Sequence, residues 1–339
     1  MFYNRKQTGA TRQGMTFVSL MCAFATVSAA SADAPKTGTA PDAPAATAPD
    51  TPSATEPAAS LKPVTVPLIV APSGKFCVDT MINGKGPYSL LVDTGSEIMA
   101  IKPDVAKACG LTVKTGTAEV QGPTGGFVPV GQADVDTATV AGITMKKPVC
   151  LVEPLNASYD GIIGAPLFNA GIVQLDLPGK QLTTYPTDTF MPDPSDAALP
   201  ILFGQGRVPI VSGTVGGVPA SIEIDTGSSF PVELNADFVD THKLRDTFVK
   251  LGTVQHSSVS GVSTSDVYDG GSLKLGDIEW TKLNGKVPAL FLSAKPGAPK
   301  RAFDGRVGCP LLTDSVMTFD YAHAKVYLKT QPVLPTITL

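Results

Sequence analysis

Tyr88-Ser89-Leu90-Leu91-Val92-Asp93-Thr94-Gly95-Ser96 and Ala220-Ser221-Ile222-Glu223-Ile224-Asp225-Thr226-Gly227-Ser228 spell one pattern twice. Each is an alternating strand that runs into an Asp-Thr-Gly-Ser turn. Working outward, each copy is preceded by another strand and a Gly-bearing turn, Asp79 to Gly86 and Ser212 to Gly217. Each is followed by a short helical signal, Pro103 to Cys109 stopped by Gly110, and Asn235 to Asp240. Later in each copy comes an Asp-Gly pair with a Gly beyond it, in Asp160-Gly161-Ile162-Ile163-Gly164-Ala165-Pro166-Leu167 and Asp304-Gly305-Arg306-Val307-Gly308-Cys309-Pro310-Leu311. Both lead into a strand with an embedded Asp and a hairpin partner: Val173 to Asp176 with Gln181 to Thr184, and Val316 to Asp320 with Lys325 to Leu328. The second copy carries about a dozen extra residues between its turn and its Asp-Gly pair.

An internal repeat of strand-rich units predicts an all-β chain of two lobes related by a pseudo-twofold axis, with corresponding residues meeting at that axis. The expected divisions are a signal peptide or N-terminal anchor over 1–32, an Ala/Pro/Thr-rich tether over 33–62, a first lobe over 63–195 and a second over 196–339. Abundant Gly (33) and Pro (30) favour turns and short strands, and 43% hydrophobic residues suffice for two cores.

Asp93 and Asp225, brought face to face, cannot both ionise cheaply, so the pair holds one proton. One carboxylate can take a proton from a water while the other donates to a substrate carbonyl, which hydrolyses an amide without a covalent intermediate. Gly95 and Gly227 permit close backbone approach, and their N–H groups can hold the carboxylates. Thr94 and Thr226 can bond across the axis, and Ser96 and Ser228 can orient the outer carboxylate oxygens. Two copies of the four-residue turn, each ending an apolar strand inside a repeat, are far more specific than one Asp-Thr-Gly.

These residues resemble the aspartic peptidase superfamily, the pepsin-like and retropepsin-like enzymes, over Pro63 to Thr330. Both Asp-Thr-Gly-Ser turns match the family's catalytic loops residue by residue. Ile162-Ile163-Gly164 is similar to the family's hydrophobic-hydrophobic-Gly element beneath the catalytic turn, whereas Arg306 stands where the second such element has an apolar residue. The lobes are short, so the resemblance is to a fused pair of retropepsin-like lobes, of the bacterial aspartyl protease kind. It implies acid-protease barrels, a cleft between the lobes and a Gly-rich flap. Flap and substrate-binding candidates are Gly122, Gly125 and Gly126 in the first lobe and Gly261 in the second; neither segment carries a Tyr.

Other chemistries are disfavoured. The net charge is -4 with no Lys/Arg cluster, so a nucleic-acid partner is not expected. His242, His256 and His323 lack metal-ligand spacing, no CxxC occurs, and neither a metal nor a cofactor is expected. No nucleophile elbow surrounds Ser228-Ser229. Asp160 and Asp304 are expected to bond local backbone, and Trp280 to pack in the second lobe. Cys77, Cys109, Cys150 and Cys309 allow two disulfides in three pairings, or four buried thiols.

Arg5, Lys6 and Arg12 precede the uncharged Met15–Ala30, and Ala30-Ser31-Ala32 and Ala32-Asp33-Ala34 match a cleavage site. That order predicts an exported protein, periplasmic or secreted, touching a membrane only if the segment stays uncleaved. The expected function is an aspartic endopeptidase acting as a monomer on a peptide or protein. The alternatives are a non-catalytic exported peptide-binding module of the same fold, and a homodimer pairing turns from two chains.

Overall fold

The computed structural model describes residues 62–121, 127–155, 157–187, 189–258, 261–269, 271–281, 288–292 and 302–330. The expected signal segment and almost all of the tether lie outside these residues.

The two halves repeat each other down to their turns. Strand Phe76–Ile82 is joined to Lys85–Val92 by Asn83-Gly84, both at positive φ (48° and 72°), the backbone a two-residue hairpin of matching twist requires. Its counterpart joins Pro209–Val215 to Val218–Asp225 through Gly216-Gly217, at φ 56° and 82°. In both hairpins the second strand is buried at the end nearest its Asp-Thr-Gly-Ser turn. The helices arise where their signals stand: Pro103–Cys109, closed by Gly110 in the left-handed conformation, and Ala236–Thr241. An additional turn of helix, Leu244–Thr247, holds some of the second copy's extra length.

Each half contributes a ten-stranded sheet, and the strand order is the same in both. At the centre of the first, Gly161–Ile163 lies parallel to the end of Lys85–Val92 and antiparallel to Met99–Ile101, which itself runs parallel to Val149–Val152. At the centre of the second, Gly305–Gly308 relates in the same way to Val218–Asp225 and Val232–Asn235, the latter parallel to Pro288–Leu292. Ile162-Ile163-Gly164 in the first half and Arg306-Val307-Gly308 in the second therefore sit directly beside the strand that leads into the Asp-Thr-Gly-Ser turn.

A third sheet, of six strands, ties the halves together. Its order is Val64–Pro67, Gln181–Tyr185, Ile172–Asp176, then Ser315–Asp320, Lys325–Thr330, Ala197–Pro200. Three strands come from each half, and the pseudo-twofold passes between Ile172–Asp176 and Ser315–Asp320, paired antiparallel with Val173 opposite Phe319 and Leu175 opposite Met317. Phe168 packs edge-on against Phe319 with ring centroids 5.1 Å apart, and one buried apolar cluster runs from Val78 and Leu90 through Phe319 to Ile222 and Leu234. Continuous apolar burial across the axis fixes one half on the other, because separating them would expose large side chains to water.

The four described cysteines are buried free thiols, so the thiol alternative is the one the structure adopts. Burial pushes Cys150 up to about 12 and Cys77 and Cys309 up to about 11, which keeps them protonated and unreactive. Among the described residues no helix is long and apolar enough to cross a membrane.

Candidate active site

Asp93 and Asp225 stand at the ends of the two equivalent strands, both essentially fully buried. The Asp93 N–H donates to Ile163 O at 3.0 Å, so the neighbouring strand sets the backbone just before the turn. Within the turns, Gly95 N–H donates to Asp93 Oδ1 at 3.0 Å, and Gly227 N–H donates to Asp225 Oδ1 at 2.9 Å.

The glycines also measure how closely the turns face each other. A methyl group on Gly95 would lie 2.6 Å from Cγ of Asp225, and one on Gly227 would lie 2.3 Å from Cγ of Asp93. Each carboxyl group thus rests against the backbone of the opposite turn, and no residue with a Cβ fits there. Gly164 and Gly308 allow an equally close approach in the layer beneath. A methyl there would meet Ser96 O at 2.1 Å and Phe230 O at 2.0 Å, respectively. The next residues, Ala165 and Cys309, donate their N–H groups to Ser96 O (2.8 Å) and Ser228 O (3.2 Å), so each Asp-Thr-Gly-Ser turn is seated on its own lobe.

Threonines lock the turns across the axis. Thr94 N–H donates to Thr226 Oγ1 at 3.1 Å, and Thr226 N–H donates to Thr94 Oγ1 at 3.0 Å. Each hydroxyl then spends its own proton on the partner strand, Thr94 on Ile224 O (2.6 Å) and Thr226 on Val92 O (2.7 Å). Every polar atom in this square is buried and bonded, the condition under which a polar network rigidifies rather than weakens a core.

The two serines depart from expectation. Ser96 Oγ donates to Ile98 O at 3.1 Å, and Ser228 Oγ donates to Glu233 Oε1 at 2.8 Å. On the Asp225 side it is the backbone N–H of Ser228 that reaches the carboxylate, at 2.9 Å from Oδ1. The other carboxylate oxygen, Oδ2, is taken by the guanidinium of Arg306, whose Nη1 lies 2.8 Å away. The sequence marks Arg306 as a departure in packing, but the structure carries it to the Asp225 carboxylate itself.

Arg306 is only 2% exposed. Its cross-strand neighbours are Glu223 on one side and Glu233 on the other, with Nη2 3.2 Å from Glu223 Oε2 and Nε 3.6 Å from Glu233 Oε2. In the first half the same three positions are Leu91, Ile162 and Ala100, which pack in a buried apolar cluster. A Glu-Arg-Glu triplet in one half therefore replaces Leu-Ile-Ala in the other. Burial alone would weaken the guanidinium's hold on its proton, but the carboxylates of Glu223, Glu233, Asp225 and Asp93 outweigh it and push the arginine further up. The available signal was the comparison of the two copies, in which Glu223, Arg306 and Glu233 stand where the first copy has Leu91, Ile162 and Ala100.

Asp160 and Asp304 bond backbone as expected, but that of a strand distant in sequence rather than their local segment. Asp160 Oδ2 accepts the Ser89 N–H at 3.0 Å, and Asp304 Oδ2 accepts both the N–H and the hydroxyl of Ser221, at 2.9 and 2.7 Å. The flap candidates Gly122, Gly125 and Gly126 lie outside the described residues, in the sequence between strands Val113–Gln121 and Phe127–Asp134. Gly261 opens strand Gly261–Asp269, opposite Ser258 in the equivalent hairpin. Trp280 is buried in the second half. His323 bonds Asp320 through Nδ1 at 2.8 Å, and His242 stacks near Phe238. Among the described residues no cluster of His, Cys, Asp or Glu forms a metal site.

Two further carboxyls near the first half are perturbed. Burial pushes Glu97, directly after the catalytic turn, and Glu153 each up to about 7.

Residues 78–167 match a family described as aspartyl protease. The fold is similar to that of the aspartic proteinase from Irpex lacteus, with a TM-score of 0.51 and 15% identity over 82% of this chain and 100% of that one. It is also similar, more weakly, to basic 7S globulin from soybean, with a TM-score of 0.46 and 12% identity over 80% and 96% of the two chains. A search of curated proteins found no relative by sequence.

Proposed function

We propose that the chain is an aspartic endopeptidase whose hydrolytic pair is Asp93 and Asp225, a reading supported by the match of residues 78–167 to an aspartyl protease family and by the likeness of the fold to an aspartic proteinase. The observation that carries the reading is the mutual approach of the two turns, in which each carboxyl group lies against the glycine of the other. Two buried carboxyl groups so arranged share a proton, and a water held between them is activated by one and directed by the other. No metal or cofactor enters the reaction. The substrate is a peptide segment in extended form, which can satisfy its backbone against strand edges as a strand does. The chain works as a single molecule, because both turns come from one polypeptide. The basic, then apolar, then small-residue N-terminus supports export.

Incubation of the protein with a denatured protein mixture from acid to neutral pH tests the proposal. Fragments should appear, and a statine-type inhibitor should suppress them. Tight binding of peptides with no fragments at any pH would replace the enzyme with a non-catalytic binding module.

A further inference from the structure

Glu153 is a carboxyl that the fold does not demand. It follows strand Val149–Val152, which runs parallel to Met99–Ile101 with Leu151 opposite Ala100 and Val152 opposite Ile101. The matching strands of the second half place Leu290 opposite Glu233 and Phe291 opposite Leu234. The position that holds Glu153 in the first half therefore holds Leu292 in the second. Since the repeat accepts a leucine there, the architecture does not explain the carboxyl.

The backbone around Glu153 is held on both sides. Its N–H donates to Ile101 O at 3.1 Å, and its carbonyl accepts the Leu155 N–H at 2.9 Å. Strand alternation puts its side chain on the same face as Leu151. Leu151 belongs to the apolar cluster that includes Leu91, Ile98, Ala100 and Ile162. Leu91 leads into Asp93 and Ile98 follows the same turn, so this face adjoins the first Asp-Thr-Gly-Ser turn. Half-buried Leu155 and Ala157 border the cluster, and Pro154 and Ser158 between and beside them are exposed. Glu153 thus stands where the apolar face meets a partly exposed loop.

The carboxyl is 5% exposed, and among the described residues its Oε2 has no hydrogen-bond partner. Lys102, the next residue along the neighbouring strand, is drawn off to Ala157 O at 2.6 Å. Burial lifts Glu153 up to about 7. A buried ionisable group without a partner costs stability, and sequences keep such a group where function needs it.

We propose that Glu153 is a specificity-determining residue that receives the ammonium or guanidinium of a Lys or Arg side chain on the peptide substrate, held against the first half. The proposal deepens the peptidase reading and rests on it for the substrate. A long basic side chain suits the place, because its methylene stem can lie on the apolar face while its head reaches the carboxylate at the edge. Charge-assisted hydrogen bonds then supply the missing partner, and the nearby cation favours the ionised form of Glu153. An apolar side chain of equal length would pack as well but leave the carboxyl unpartnered, which is how a polar site rejects an analogue that lacks the bonding group.

Hexapeptides that differ at one residue test the proposal, with Lys, Arg, norleucine or Glu placed in turn at each position flanking the central bond. At one position the wild type should favour Lys and Arg over norleucine by about 10–100-fold in kcat/KM, the worth of hydrogen bonds to a charged group. In Glu153→Gln that preference should be lost. It should be lost equally in Glu153→Leu, which copies the second half and guards against a variant that does not fold. A wild type indifferent to the basic residue overturns the proposal, as does a folded variant that keeps the preference.

Where peptides bind without being cut, the same ratios are read as dissociation constants. A basic preference that disappears in Glu153→Gln then refutes the peptidase reading and leaves the site standing, whereas cleavage with no basic preference does the reverse. If no peptide binds, the Glu153 Cδ resonance of 13C-labelled protein is titrated at about pH 7 with n-butylguanidinium chloride, against sodium chloride at equal ionic strength. Movement toward the ionised position with the guanidinium salt alone supports the site, and an equal response to both salts overturns it.

Discussion

Thr94 and Thr226 each receive the other's backbone N–H on their side-chain oxygen, at 3.0 and 3.1 Å respectively, so neither Asp-Thr-Gly-Ser turn can move without pulling the other. Their hydroxyls then bond the strands that lead into the opposite aspartate. Replacing either threonine by valine removes one acceptor and one donor from a dry site while keeping the shape. Each valine variant should lose about 1–3 kcal/mol of stability, the usual cost of stranding buried polar partners. Because the lock is reciprocal, the double variant should lose less than the sum of the singles. Denaturant unfolding of the three proteins measures both effects.

Gly227 marks the closest approach of the backbone to the partner carboxyl. The Gly227→Ala methyl would sit 2.3 Å from Asp93 Cγ, where the neighbour is held by backbone and cannot yield cheaply. Displacing one carboxyl by even a fraction of an ångström should lower kcat by about 10²-fold. Gly95→Ala, at 2.6 Å from Asp225, should follow the same course. Steady-state kinetics on a peptide substrate, with circular dichroism to establish that the variants fold, decides it.

Glu153 is 5% exposed, and burial lifts its carboxyl to about 7 from an ordinary 4.5. A folded-state value above the unfolded one means that the unfolded chain releases the proton first as pH rises. Glu153 therefore costs stability progressively between about pH 4.5 and 7, and the cost persists above that range. Glu153→Gln should leave stability at pH 4 nearly unchanged and raise it at pH 8 by about 2–3 kcal/mol. Thermal unfolding of both proteins at the two pH values tests the sign as well as the size.

Asp304 holds the second lobe's strand through Ser221, by two hydrogen bonds to one carboxylate oxygen. Asp304→Ala should reduce stability by about 1–3 kcal/mol through loss of charged hydrogen bonds. At a temperature where the variant remains folded, its kcat should stay close to that of the wild type, because the carboxylate serves the backbone and not the chemistry. A kcat loss as large as that of Gly227→Ala would assign Asp304 a direct role.

Much of this architecture was legible because the chain states it twice. The alternation before each Asp-Thr-Gly-Ser turn, the glycines past each Asp-Gly pair, and the Gly110 stop all act locally, so their meaning survives without knowledge of the fold. The repeat then supplied the axis. The six-stranded sheet was less legible: Val64–Pro67 and Ala197–Pro200 are short and lie far in sequence from the strands they pair with. The destination of the Ser228 hydroxyl and the contact of Arg306 with Asp225 depend on which residues become cross-strand neighbours. Parallel register between distant segments sets that, and no local pattern encodes it. Glu223, Glu233 and Arg306 were each visible as charged residues on apolar strands, but their meeting was not.

The account depends most on two carboxyl groups acting as one catalytic unit. The direct measurement is peptide cleavage by Asp93→Asn, Asp225→Asn and the double variant, each shown to be folded. Each single variant should lose about 10²–10⁴-fold or more in kcat/KM, and the double variant should be scarcely worse than either single one. Cleavage retained by either single variant, or losses that simply multiply in the double variant, would contradict it.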